Sequence, residues 1–140
     1  MAKQNLTKEK EQIVFGNDSV VIQKYISGIK GGRTLDMTGY PFDVLNAGHV
    51  VITNGSGTYK PMPVVGTTVE GVTTYAYGTL PANHSYAGVL YRSILTKEPA
   101  ASIMTNGEVN SEAVPYAMTS ILSAFKAACP QIVFIKDEEA

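Results

Sequence analysis

From residue 13 to residue 104 the chain is cut every few residues by glycine, proline or Asn-Gly into short runs rich in Val, Ile, Thr and Tyr. Residues of these types suit the pleated, half-buried surface of a strand, and punctuation at such intervals leaves room for strands and turns. Strands at close spacing with no helix until late point to a fold that is α+β in class but mainly β, and argue against alternating βαβ units.

The runs can be placed one by one. Residues 13–15 and 20–26 predict two short strands about a turn at Gly16-Asn17-Asp18. Residues 49–53 predict a strand that returns through Asn54-Gly55-Ser56-Gly57 into residues 58–60, with Asn-Gly supplying the positive φ angles of a type I′ turn. Pro61 and Pro63 confine residues 59–65 to a sheet edge or an extended loop, because proline cannot donate to a ladder. Residues 70–77, 87–95 and 102–104 are further strands, with Pro81-Ala82-Asn83-His84 as a loop and Asn106-Gly107 as the turn after the last of them.

Near the end the period changes. Met118, Ile121, Leu122, Phe125 and Ala128 or Cys129 recur at helical spacing and predict an amphipathic helix over residues 116–129, with Pro115 at its first turn and Pro130 as its stop. Asn110 and Ser111 can cap that helix, and Glu112 suits the positive end of its dipole. Residues 131–136 are almost wholly apolar and predict a final strand covered on both faces. Residues 1–12 are polar and read as a flexible N-terminal arm ahead of a single β-rich domain over residues 13–140.

A chain of 140 residues buries enough surface to fold without staples, and its lone cysteine, Cys129, permits no internal disulfide. Its start lacks the apolar stretch of a secretory signal, and no run is long and apolar enough to span a bilayer, so synthesis in the cytoplasm is expected. Eleven basic and twelve acidic side chains leave a net charge of −1, which provides no footprint for nucleic acid or anionic lipid.

The distribution of charge says more. From Met37 to Tyr91 the only charged residues are Asp43, Lys60 and Glu70, in a span that holds six tyrosines and eight glycines. Interface cores are poor in Lys, Glu and Asp and rich in Tyr, so the span reads either as a surface covered by other protein or as a β core with tyrosine hydroxyls at its rim. Tyr40, Tyr59, Tyr75, Tyr77 and Tyr86 are the candidate interface residues, together with Arg33 and Arg92, whose planar forks can tie strands or subunits together.

Catalytic patterns are missing. There is no P-loop spacing, and Gly55-Ser56-Gly57 lacks the flanking glycines of a nucleophile elbow. His49 lies in an apolar strand and His84 in a loop, each without an adjacent nucleophile or acid, and Cys129 reads as a small buried hydrophobe. Glu108 and Glu112 would need further ligands from elsewhere to hold a metal. The expectation is a protein that is no enzyme and has no cofactor.

The order of "DVLNAGHVVI", "GTYKPMPV", "HSYAGVLYRSI", "AASIMTNGEVNSEAV" and "ILSAFKAACPQIVFIKD" resembles that of the lambda-type head decoration proteins of tailed bacteriophages, over roughly residues 40–136. Residues 13–36 have no counterpart in the lambda protein. The resemblance implies a tulip- or barrel-like subunit that forms homotrimers on the local three-fold axes of an expanded capsid and cements neighbouring major capsid proteins on the virion exterior. It also implies an N-terminal arm that orders on binding, for which Gln12, Ile13, Val14 and Phe15 are the β-prone candidates. Head-fibre proteins are a further candidate partner. The alternatives are a head-fibre or tail-associated base protein, and a small β-barrel ligand-binding module or enzyme using His49 or His84.

Overall fold

The computed structural model describes residues 18–29 and 32–135. The flexible arm, the first predicted strand and most of the turn after it therefore lie outside the described residues. The chain is mainly β, with one substantial helix near its C-terminal end and a strand after it, as the sequence predicts.

Three strands form the centre. β4 (Val50–Thr53), β8 (Ser85–Leu90) and β11 (Ile103–Asn110) lie side by side, with β1 (Ile22–Gly28) and β5 (Tyr59–Pro61) as the edges of the path β1-β11-β8-β4-β5. Neighbours along this path are antiparallel, and β12 (Ile132–Ile135) adds to β11 in parallel. Side chains alternate across a strand, so each central strand feeds two cores. Val50, Ile52, Val89 and Met104 enter the larger one, with Phe125 and Met118, while Val51, Leu90 and Ile103 enter the smaller one beside Leu45 and Leu35. The consecutive apolar residues of β4 are thereby all buried.

Several boundaries differ from the sequence reading. The strand expected over residues 20–26 begins at Ile22, because Asp18–Val21 form a single helical turn, α1, that seats Val21 against Gly48. The run over residues 87–95 is two strands. β8 stops at Leu90, the backbone bends, and β9 (Ile94–Leu95) pairs instead with β3 (Val44–Leu45). Buried Ser93 holds the bend, its hydroxyl accepting the Ala47 N–H at 3.0 Å. A second small pair joins β2 (Arg33–Thr34) to β10 (Ala100–Ala101).

Asn106-Gly107 is not a turn. β11 runs straight through it, and Gly107 is paired to Tyr25 of β1 on one side and Ile132 of β12 on the other. The glycine answers a close approach: a Cβ there would collide with the Lys24 carbonyl oxygen and the Met104 sulfur.

The helix, α2 (Leu122–Ala128), is shorter than the predicted 116–129. Tyr116 is drawn into ring contacts with His49 and Tyr77, which keeps the preceding residues in turns, and Ile121 caps α2 without a side-chain hydrogen bond. The apolar stripe is otherwise as spaced: Met118, Ile121, Phe125 and Cys129 are buried, and Ala128 is exposed. The last strand is covered on one face only, since Ile132 is buried while Val133 and Ile135 are 50% and 37% exposed.

The proline rule places its segment correctly, with Pro61 ending the edge strand β5. It also hides the hairpin that follows. β6 (Val64–Val69) and β7 (Val72–Tyr77) form a separate two-stranded ribbon closed by Glu70 and Gly71, at φ of 51° and 79°. Both central residues of this two-residue turn have positive φ, the type I′ pattern. The Asn54-Gly55 loop is a different structure. Only its glycines have positive φ, and the Asn54 side-chain oxygen accepts the Ser56 N–H at 2.7 Å in an Asx turn. Glutamate is costly in the left-handed region and asparagine much less so. Glu70→Asn is expected to stabilise the fold by about 0.5–1 kcal/mol, measured as a rise in the urea midpoint.

Candidate interaction surface

His49 is the most buried of the groups with catalytic potential. It is enclosed by the rings of Tyr40, Tyr77 and Tyr116 at 5.7, 5.3 and 5.6 Å, each nearly perpendicular to the imidazole. Nε2 lies 2.9 Å from the Met62 carbonyl oxygen and donates to it, which leaves Nδ1 as the unprotonated nitrogen, buried and without a hydrogen-bond partner. Burial lowers the pKa to about 4, with the Met62 bond opposing only in part, so the ring is neutral at physiological pH. Tyr77 is held by the same core, its hydroxyl accepting the Val50 N–H at 3.0 Å, and burial pushes Tyr40 and Tyr77 well above the usual phenol range. The cluster packs three tyrosine rings around a neutral imidazole, with the Tyr40 and Tyr116 hydroxyls hydrogen-bonded to each other.

The other candidates do not converge. His84 donates from Nδ1 to the carbonyl oxygen of Ala82, two residues away, at 2.9 Å. Cys129 is buried, its thiol pushed up to about 11 by desolvation and directed at the Tyr86 carbonyl oxygen at 3.6 Å, which suits the inert small hydrophobe expected. Among the described residues no group of three His, Cys, Asp or Glu is placed to hold a metal ion. The Asn110 side chain accepts the Glu112 N–H at 2.9 Å, an Asx turn at the end of β11 and well ahead of α2, so it does not cap the helix as the sequence reading has it. No helix among the described residues is long and apolar enough to cross a membrane.

The surface is more informative. In the β6–β7 ribbon, paired residues share a face, and the six pairs from Val64–Tyr77 to Val69–Val72 form without a register shift. One face carries Val64, Tyr75 and Tyr77. It is anchored to the body by Tyr77 in the core and by Tyr75 against Phe42 at 4.8 Å between ring centres. The opposite face carries Val65, Val69 and Val72, which are 55%, 63% and 65% exposed, with Thr67 and Thr74 between them. No charged residue lies within either strand.

The sequence-predicted interface residues are distributed unevenly over this framework. Tyr75 lies on the ribbon and is part exposed. Tyr77 is committed to its own core, Tyr40 packs on Phe42 and His49, and Tyr86 packs on Phe125. Arg33 lies over the Tyr59 ring at 5.7 Å and Arg92 over the Tyr91 ring at 5.3 Å, so both guanidinium groups rest on their own subunit's aromatics. Gln12, Ile13, Val14 and Phe15 lie outside the described residues. Val65, Val69 and Val72 were not signalled by tyrosine content. Their signal is the mirror order Thr-Thr-Val-Glu-Gly-Val-Thr-Thr over residues 67–74, which folds like residues onto like about a two-residue turn.

No family model matches the chain, and searches of curated proteins and of solved structures found no match.

Proposed function

We propose that this chain is a capsid-decorating cement protein of a tailed bacteriophage, a homotrimer that binds the major capsid protein around the local three-fold axes of the expanded head. The observation that supports this reading is the β6–β7 ribbon, whose strands are uncharged and whose face away from Tyr75 and Tyr77 carries large exposed aliphatics, in a chain whose histidines and cysteine are held in structural roles. The face is small, and it supports the reading through its lack of charge and its row of valines on strands, which suit contact with other protein. A cement protein needs two contacts, one with its own copies and one with the shell. The ribbon suits the first, and the β-prone residues Gln12, Ile13, Val14 and Phe15 suit the second, by adding a strand to an exposed edge of the capsid protein. Three arms per trimer act together, so modest energy in each suffices to clamp neighbouring capsomers.

Co-sedimentation with expanded shells of the phage's own capsid protein tests the reading. The full chain is expected to pellet with the shells, and a chain lacking residues 1–15 is expected to remain trimeric while losing that binding. Failure of the full chain to bind would overturn the proposal, and unchanged binding by the truncated chain would remove the arm from it.

A further inference from the structure

We infer that the outer edges of the β6–β7 ribbon pair with the same ribbon of a second copy of this chain, so that the subunits join through a continuous intermolecular sheet. The inference rests on the trimeric reading above and names the element that makes the contact.

The first argument is the state of the edges. Gly78 N–H donates to the Pro63 carbonyl at 2.9 Å, which makes 63 and 78 a hydrogen-bonded pair. Such pairs recur every second residue along an antiparallel ladder, so Val65–Ala76, Thr67–Thr74 and Val69–Val72 are bonded across the ribbon. The backbone groups of Gly66 and Thr68 on β6, and of Thr73 and Tyr75 on β7, then point away from the ribbon. Among the described residues the sheet has two strands, and neither outer edge is paired.

The second argument is the contrast with the other edges of the molecule. β1 carries Lys24 and three register shifts, β5 is short and holds Lys60 and Pro61, and β12, though uncharged, is only four residues long. Charges, bulges, proline and shortness are the devices by which edges are kept from pairing with other chains. The ribbon has none of them: each strand is six residues long, with no register shift, proline or charge. A two-stranded ribbon is also marginal in water by itself.

The third argument selects the occupant. An uncharged Val/Thr edge matches another copy of itself without burying an unpaired charge, whereas a charged partner strand would bury one. Area points the same way. Six residues at about 3.3 Å make a face roughly 20 Å long and on the order of 200 Å². A standard contact buries about 800 Å² per partner, so one ribbon face is too small to dock side-on by itself, whereas in edge pairing the main-chain ladder bonds supply affinity. In a closed ring of three the contact must be heterologous, which here means β6 of one copy against β7 of the next.

Amide hydrogen exchange on the full chain, read together with light scattering, tests this. In the self-associated protein the amides of Gly66, Thr68, Thr73 and Tyr75 are expected to exchange about a hundredfold or more slowly than solvent-facing edge amides. Thr68→Val removes only the hydroxyl contact between Thr68 and Thr73, at 2.9 Å, and serves as the control. Thr68→Pro removes that contact together with one outward N–H, and leaves the ladder bonds inside the ribbon in place. It is expected to weaken association at least tenfold and to restore fast exchange at the remaining three amides, while Ser56→Lys, at the exposed tip of a different loop, changes neither. A trimer whose four amides exchange fast would overturn the ribbon contact and leave the trimeric reading standing. A monomer at every concentration would overturn both. Protection that arises only when capsid protein is added would assign the ribbon to the shell and overturn pairing between copies.

Discussion

Replacement of Phe125 by alanine is expected to destabilise the protein by about 3–5 kcal/mol, a large share of the roughly 5–15 kcal/mol that holds a domain of this kind together. Phe125 is 0% exposed, the one fully buried large side chain of α2, and its ring meets Tyr86 of β8 and Phe134 of β12 edge-on at 5.5 and 5.7 Å. Truncation leaves a cavity between helix and sheet that neither ring can fill without leaving its place. Leu122 lies on the same helix and is only half-buried, so Leu122→Ala should cost clearly less. Urea unfolding of both variants checks this, and a Phe125→Ala cost below about 1 kcal/mol would contradict the placement of the helix.

Acidification should weaken the fold through His49. In the unfolded chain the imidazole takes a proton near 6.5, and in the folded chain only near 4. Between these values the unfolded state binds more protons, so stability falls as pH is lowered from about 6.5 and the loss is complete below about 4. The difference corresponds to roughly 3 kcal/mol at one such residue. The cause is burial, opposed in part by the Met62 carbonyl, and no charged group contributes. His49→Gln keeps a donor for Met62 and removes the titration. Measured from pH 7 to pH 4, the wild-type protein should lose about 2–3 kcal/mol more than this variant. Parallel pH profiles would show that the buried site does not titrate as described.

The elements most legible in the sequence are those fixed by a single local rule. The apolar run at β4, the prolines that place β5 at an edge, and the stripe from Met118 to Cys129 each follow from composition or period. Where long-range packing competes, local rules give way. Asn106-Gly107 has turn chemistry, yet β1 on one side and β12 on the other hold it extended, and its glycine is required by proximity and not by φ. Residues 116–121 have helical spacing, yet Tyr116 is drawn to His49 and the helix begins later. Asn54-Gly55 has the preferred type I′ sequence, while the type I′ turn forms at Glu70-Gly71, where the six matched pairs of the ribbon outweigh the strain of a left-handed glutamate.

The candidate surface was legible as a region and not as residues. The lack of charge between Met37 and Tyr91 located it, but the tyrosines that drew attention there include one committed to the core and two packed on their own subunit. An aromatic ring satisfies its own core as readily as a partner, so tyrosine content alone does not separate the two. The exposed aliphatics are the more specific sign, because Val65, Val69 and Val72 lie outside both core clusters, with Val65 set beside Gly78.

The measurement that bears most directly on the proposed role is the thermal disruption of expanded capsids with and without saturating amounts of this protein. If the chain clamps capsomers together, the disruption temperature rises with occupancy and levels off when the three-fold positions are filled. Shells that bind the protein in full and come apart at the same temperature as bare shells would contradict a cementing role.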